Sequence, residues 1–383
     1  MRFLAVHIIL AVSSLCSKTL AQDYHFTRFS TREGLSNNCI NDIVEDPGGF
    51  IWIATSDGLN RYDGHRFEVF RSNEKPGSLH SNQIQTLMLD KSGRLWMAGT
   101  GWTVINVFEP GTKTFLSYPI EHHDHSLVIC DLFEDAEGHI WMASSNGIFL
   151  FDNESQRFLD LTSENSRGPK PLGNYSYTNN VFAEDPSGKG FWMITNSGFN
   201  FYSYDEDVFK HTKSGTGIKI FDVPARRPFV IDRNGILWTS ILDGGPYWSW
   251  IGWDIAGDSM VYRDDNVILE DERMLNAFSR ISIDERDRIW LGNNARTPLI
   301  FNITTRSFDY SLNQVYPGSL TNHTLRATHV DRNSNIWLGT EEGLFVSFVI
   351  HEYIDTHWIG EWTAFRKPRI KDQLFFNDSL LLM

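Results

Sequence analysis

At 383 residues, with 41% apolar and 14% aromatic side chains, the chain holds enough apolar material for a sizeable core, which excludes a disordered class. Its 48 acidic residues outnumber 34 basic ones, a formal charge of −14. That balance excludes nucleic acid as a partner, because affinity for phosphate backbones rests on cationic neutralisation, and it favours a neutral ligand or another protein.

Met1-Arg2, the apolar run Phe3 to Leu15 and the small-residue stretch ending at Ala21 have the layout of a secretory signal peptide over residues 1–21. The run is too short to span a bilayer; an N-terminal membrane anchor is the alternative. Leu15 stands before Cys16 where a lipoprotein signal wants a small residue, which argues against lipid attachment. No later window reaches the roughly 18 apolar residues of a membrane helix, so the expected location is periplasmic or secreted. Cys39 and Cys130 occupy equivalent places in non-adjacent repeats and read as small buried hydrophobes rather than a disulfide.

From residue 22 to 348 the chain repeats itself. Trp52, Trp96, Trp141, Trp192, Trp238, Trp290 and Trp337 lie 44, 45, 51, 46, 52 and 47 residues apart, each closing an Asp-x-x-Gly-x-Ile/Leu-Trp hairpin. The Asp stands six residues before the Trp at Asp46, Asp90, Asp135, Asp232, Asp284 and Asp331; Asp185 stands seven before, with Gly190 inserted. Gly49, Gly93, Gly138, Gly188 and Gly235 fill the fourth turn position, where a hairpin needs positive φ. Asp287 and Ser334 hold that place in the last two copies, and Ser predicts a strained or differently built final turn.

Around each hairpin the apolar residues alternate with period two. The first unit predicts strands over Ile40 to Glu45, Phe50 to Thr55, Leu59 to Tyr62 and Phe67 to Arg71. Helical periodicity is absent. Seven four-stranded antiparallel units at this spacing predict an all-β, seven-bladed β-propeller, with the Trp packed between blades. Only six fourth strands follow the repeats, whereas His25 to Ser30 precede the first and read like the others. This N-terminal segment is therefore expected to complete the last blade and close the ring. Residues 349–383 show no blade pattern and form a divergent C-terminal tail whose structure the sequence leaves open.

The unit from Gly34 to Gly64, with Gly-Leu-Ser-x-Asn-x-Ile followed by Asp-x-x-Gly-x-Ile-Trp-Ile-Ala-Thr-x-x-Gly-Leu-x-Arg-Tyr-Asp-Gly, resembles the two-component regulator propeller repeat. The resemblance implies the periplasmic sensor region of a Bacteroides-type hybrid histidine kinase. Such proteins usually continue into a second propeller, an immunoglobulin-like domain, a membrane helix and cytoplasmic kinase parts, and many sense oligosaccharides. It thus implies an oligosaccharide ligand, membrane and kinase portions as partners, anchoring to the inner membrane, and a possible homodimer at full length. This chain departs from that plan after Phe348 and reads as a fragment or an interrupted gene; it carries no kinase residues, so no enzyme activity is expected.

Candidate ligand residues lie where the repeats differ. Asp243 to Asp254 contains Tyr247, Trp248, Trp250 and Trp253, four aromatics in seven residues that suit stacking on sugar rings, with Asp243 and Asp254 as hydroxyl acceptors. The same segment also reads as an over-aromatic third strand, with Trp248 and Trp250 on one face and Tyr247 and Trp253 on the other. Trp102 stands at a turn where other repeats place glycine, and Tyr175 and Tyr177 lie in the longest connection. His122-His123-Asp124-His125 lacks spaced partners and reads as a solvated loop, so neither metal nor cofactor is expected. A propeller glycosidase or polysaccharide lyase and a protein-binding scaffold are the competing functions, but no catalytic constellation is specific.

Overall fold

The computed structural model describes residues 26–348 apart from 74, 122–126, 163–170, 172–179, 212–227, 242–248, 266–277, 285, 294–295 and 310–322, together with 373–376 and 379–382. The predicted signal peptide lies outside the described residues, as does most of the C-terminal segment. Contacts divide the chain into a unit ending at Phe348 and another from Val349 to Met383. Within the second, Gln373–Phe376 and Ser379–Leu382 pair as an antiparallel hairpin.

The first unit is all-β, seven four-stranded antiparallel sheets with no helix among the described residues. In blades 1 to 6 the strands pair in sequence order; blade 1 runs Ile40–Glu45, Ile51–Thr55, Gly58–Tyr62 and Phe67–Phe70. Blade 7 takes three strands from the end of the unit, Leu325–Val330, Ile336–Thr340 and Leu344–Ser347. Its outer strand is Phe26–Phe29, antiparallel to Leu344–Ser347 with Phe26 opposite Ser347 and Phe29 opposite Leu344. Successive first strands lie side by side around the axis.

The tryptophans seal the blades to one another. Trp52 lies 5.0 Å from Phe108 of blade 2, Trp96 5.3 Å from Phe151 of blade 3, and Trp238 5.0 Å from Phe301 of blade 6. Tyr62 of blade 1 meets Trp337 of blade 7 at 5.8 Å, so the aromatic girdle crosses the join of the ring. Each Trp is held by the aspartate of its own turn. The indole Nε1 donates to Asp Oδ2 in all seven blades, at 2.7 Å from Trp96 to Asp90 and 3.0 Å from Trp290 to Asp284. The other oxygen accepts backbone N–H groups of the turn, such as those of Gly48 and Phe50 on Asp46. One carboxylate thus folds the hairpin and orients the interblade ring through charge-assisted bonds.

The last turn is built like the rest: Ser334 N–H donates to Asp331 C=O at 2.8 Å, as Gly49 does to Asp46 at 2.9 Å. Ser334 adopts φ +62° and Asp287 φ +56° to manage it, so the expected difference is conformational strain, not another turn type. The inserted Gly190 opens the second strand of blade 4, where an added Cβ would lie 1.8 Å from the Tyr202 carbonyl oxygen.

A polar cluster at the mouth of the central channel

The first strands of blades 1, 3, 6 and 7 share an irregularity. Their register against the second strand skips a residue between Ile40 and Asp42, Ile129 and Asp131, Phe278 and Arg280, and Leu325 and Ala327. Such bulges re-aim side chains locally. All four lie where the first strand faces the end of the second, the end of the channel from which the connections between strands two and three leave.

Polar groups converge there. Arg280 of blade 6 reaches Asp42 Oδ1 of blade 1 at 3.4 Å and donates through Nη2 to the carbonyls of Asn41 at 3.2 Å and Gln85 of blade 2 at 3.5 Å. Asp42 Oδ2 also accepts the Leu87 N–H at 2.9 Å. Arg326 of blade 7 donates to Asn41 Oδ1 at 3.0 Å and pairs with Glu341 at 3.2 Å. Asp131 of blade 3 accepts the Val181 N–H of blade 4 at 2.7 Å, and Asn180 Oδ1 accepts Ile281 N–H of blade 6 at 3.2 Å. Arg280 is therefore a strut across the channel mouth that ties blade 6 to blades 1 and 2.

Burial pushes the Asp131 carboxyl up to about 6, against the Val181 N–H and the Arg280 charge, with Asp42 adding to the rise. His329, on the first strand of blade 7, is pushed down to about 4 by burial, and its Nε2 has no hydrogen-bond partner. The Cys130 thiol, next to Asp131, is pushed up to about 12 by burial; neither Cys39 nor Cys130 is in a disulfide. A thiol held protonated is a poor nucleophile. The cluster pairs cations with carboxylates, and its members are largely buried: Asp42 is 8% exposed and the Arg280 side chain 11%. Among the described residues no group of three or more His, Cys, Asp or Glu could hold a metal.

Three of the sequence candidates are part of the core. Trp250 and Trp253 are each 1% exposed, on opposite faces of the strand Ser249–Asp254: the first packs toward blade 6 and the second toward blade 4. Trp102 is 3% exposed among the residues between blades 1 and 2, beside Gly99. None of these rings offers a face to a ligand, because the gaps between wedge-shaped blades consume large aromatics. Asp254 accepts the Gly257 N–H at 3.0 Å and shapes the turn to the outer strand. Tyr247, Trp248, Asp243, Tyr175, Tyr177 and the histidine cluster at 122–125 lie outside the described residues. Asp42, Asp131 and Arg280 were not singled out in the sequence, although each stands ten residues before its repeat's tryptophan, where Thr86 and Ala327 stand in blades 2 and 7.

Two repeats, residues 34–57 and 78–101, match the family described as two component regulator propeller. The repeats are of that type. The chain also resembles histidine kinase P4 of Formosa agariphila, 37% identical over 75 residues, 19% of this chain and 6% of that protein. Among solved structures, the extracellular domain of a putative hybrid two component system of B. thetaiotaomicron superposes with a TM-score of 0.61 at 20% identity, over 85% of this chain and 42% of that one. A second such domain from B. thetaiotaomicron gives 0.64 at 18% identity, over 94% and 46%. A streptogramin B lyase gives 0.61 at 12% identity, over 85% and 98%. The chain thus spans less than half the length of the two extracellular domains, and identities this low establish the shared fold alone. No helix among the described residues is long and apolar enough to cross a membrane.

Proposed function

We propose that this propeller is the non-catalytic, ligand-sensing part of a hybrid two-component system, working outside the cytoplasm and recognising an oligosaccharide. The match of its repeats to the two-component regulator propeller family supports the sensor assignment. The oligosaccharide rests on the aromatic segment that leaves Ile241 and returns at Ser249, at the same end of the channel as the polar cluster of Asp42, Asp131, Arg280 and Arg326. Trp248 in that segment is the proposed stacking residue, with Tyr247 on the other face as its alternative and Asp243 as a hydroxyl acceptor; Tyr175 and Tyr177 are secondary candidates. Signalling belongs to membrane and kinase portions supplied elsewhere in the system, with dimerisation as the means of transmission.

A panel of neutral and acidic oligosaccharides screened by thermal shift tests the reading. One glycan class should raise the melting temperature saturably, and Trp248→Ala should abolish that shift without lowering the ligand-free melting temperature. No shift with any glycan, together with a co-purifying protein, would replace the sugar by a protein partner. The lyase aligns over 98% of its own length and 85% of this chain. Turnover of a polysaccharide or of a streptogramin B, lost on a single carboxylate substitution, would move the assignment to an enzyme.

A further inference from the structure

At the opposite end of the propeller, three of the aspartate turns are strapped to the next blade by the residue that follows the aspartate. Arg332 of blade 7 donates to the carbonyls of Asp46 and Pro47 of blade 1. Lys91 of blade 2 donates to the Asp135 carbonyl of blade 3, and Arg233 of blade 5 pairs with Asp287 of blade 6 at 2.9 Å. Between blades 3 and 4 the strap runs the other way, the Tyr204 hydroxyl accepting the Ala136 N–H at 3.0 Å.

Blade 1 departs from the pattern twice, as does blade 4 with Pro186 and Gly190. In blade 1 the aspartate is followed by Pro47, which has no side-chain donor to send to blade 2. Two residues before its tryptophan stands Phe50, where Arg94, His139, Arg288 and Asn335 of other blades bond back to their own aspartates. An open cleft of about 360 Å³ lies between blades 1 and 2, within the range of small-molecule sites. Its walls include Phe50, Trp52 and Phe108; Arg61 and Lys113 are its cations. The only carboxylate lining it, Asp46, has both oxygens committed to the turn and the indole. Arg61 lies 4.5 Å over the Phe50 ring, pairs with Glu68 at 2.6 Å, and keeps a buried Nε donor without a partner.

We propose that this cleft is a binding site for a small organic monoanion, a carboxylate on a ring or branched apolar body. Phe50 and the exposed Pro47 and Pro110 take the body, the unpartnered Nε of Arg61 donates to the carboxylate, and Lys113 supplies the cation that Glu68 does not already pair. The site is separate from the channel mouth and independent of the oligosaccharide reading.

Calorimetric titration of the whole chain with phenylacetate and with its neutral isostere phenylacetamide tests this. The acid should bind saturably at one site and the amide at least about tenfold more weakly. Lys113→Gly, which removes the cation at a backbone φ of +55° that glycine adopts without strain, should weaken phenylacetate about five- to tenfold with no loss of melting temperature. Arg61→Gln should weaken it further. Equal affinity for acid and amide, no saturable binding of the acid, or unchanged affinity in a folded Lys113→Gly protein would each overturn the assignment.

Discussion

At the scale of single residues, the channel mouth makes a pH-dependent prediction whose sign follows from Asp131. Its folded pKa of about 6 lies above the ordinary 3.8, so its contribution to stability is full below pH 3.8 and is lost as pH rises through 6. His329 works in the opposite sense. With its folded pKa near 4, below the ordinary 6.5, it contributes stability above pH 6.5 and loses it as pH falls toward 4. Arg280 and Asp42 face Asp131, and Asp331 and Asp42 face His329. Asp131→Asn removes one titration and leaves the other. Its melting temperature, measured relative to the parent, should therefore rise by several degrees between pH 4 and pH 7, on top of a constant offset for the lost second acceptor. A difference that does not change with pH would show that Asp131 is ionised throughout and that Arg280 outweighs burial.

Single elements show what the sequence discloses and what it withholds. The spacing of Asp, Gly and Trp places the hairpin strands to within a residue or two, because each residue type answers a local demand: positive φ, a turn acceptor, an interblade wedge. Ser334 is a sharp case. It takes the left-handed conformation at φ +62° with the same turn bond as its glycine counterparts. Ser334→Gly should accordingly stabilise the protein by about 0.5–1 kcal/mol in urea unfolding, the strain released exceeding the chain entropy that glycine adds. A destabilised variant would mean that the Ser334 side chain makes a contact stronger than the strain. What spacing does not disclose is the second use of the aspartate as indole acceptor, since a six-residue separation becomes a contact only once the hairpin is closed. The same limit hides Arg280. A cation at one position and carboxylates at equivalent positions of distant repeats become partners only when the ring brings blade 6 opposite blades 1 and 2. Conversely, Trp250, Trp253 and Trp102 stand out in the sequence for being aromatic. Side-chain type alone does not separate a ring that fills a gap between blades from one that faces a ligand.

For the whole molecule the decisive contact is between its two ends, because a propeller is stable only when its first and last blades are joined. Three features make that join: the pairing of Phe26–Phe29 with Leu344–Ser347, the Tyr62–Trp337 ring contact, and Arg332 bonded to the turn of blade 1. The strand contributes two half-buried phenylalanines and up to four backbone hydrogen bonds, about 4 kcal/mol in all. Its loss would also leave Leu344–Ser347, buried along its whole length, as an open and apolar sheet edge. A chain beginning at Ser30 should therefore unfold at lower urea concentration, by an amount equivalent to about 4 kcal/mol, and should self-associate as its concentration rises. Adding the peptide of residues 22–30 in trans should reverse both effects, since the vacated edge is specific for that register. If the shortened chain keeps the parent's midpoint and stays monomeric, the ring is held by the Arg280 strut and the tryptophan girdle alone, and the N-terminal strand is a cover rather than a clasp.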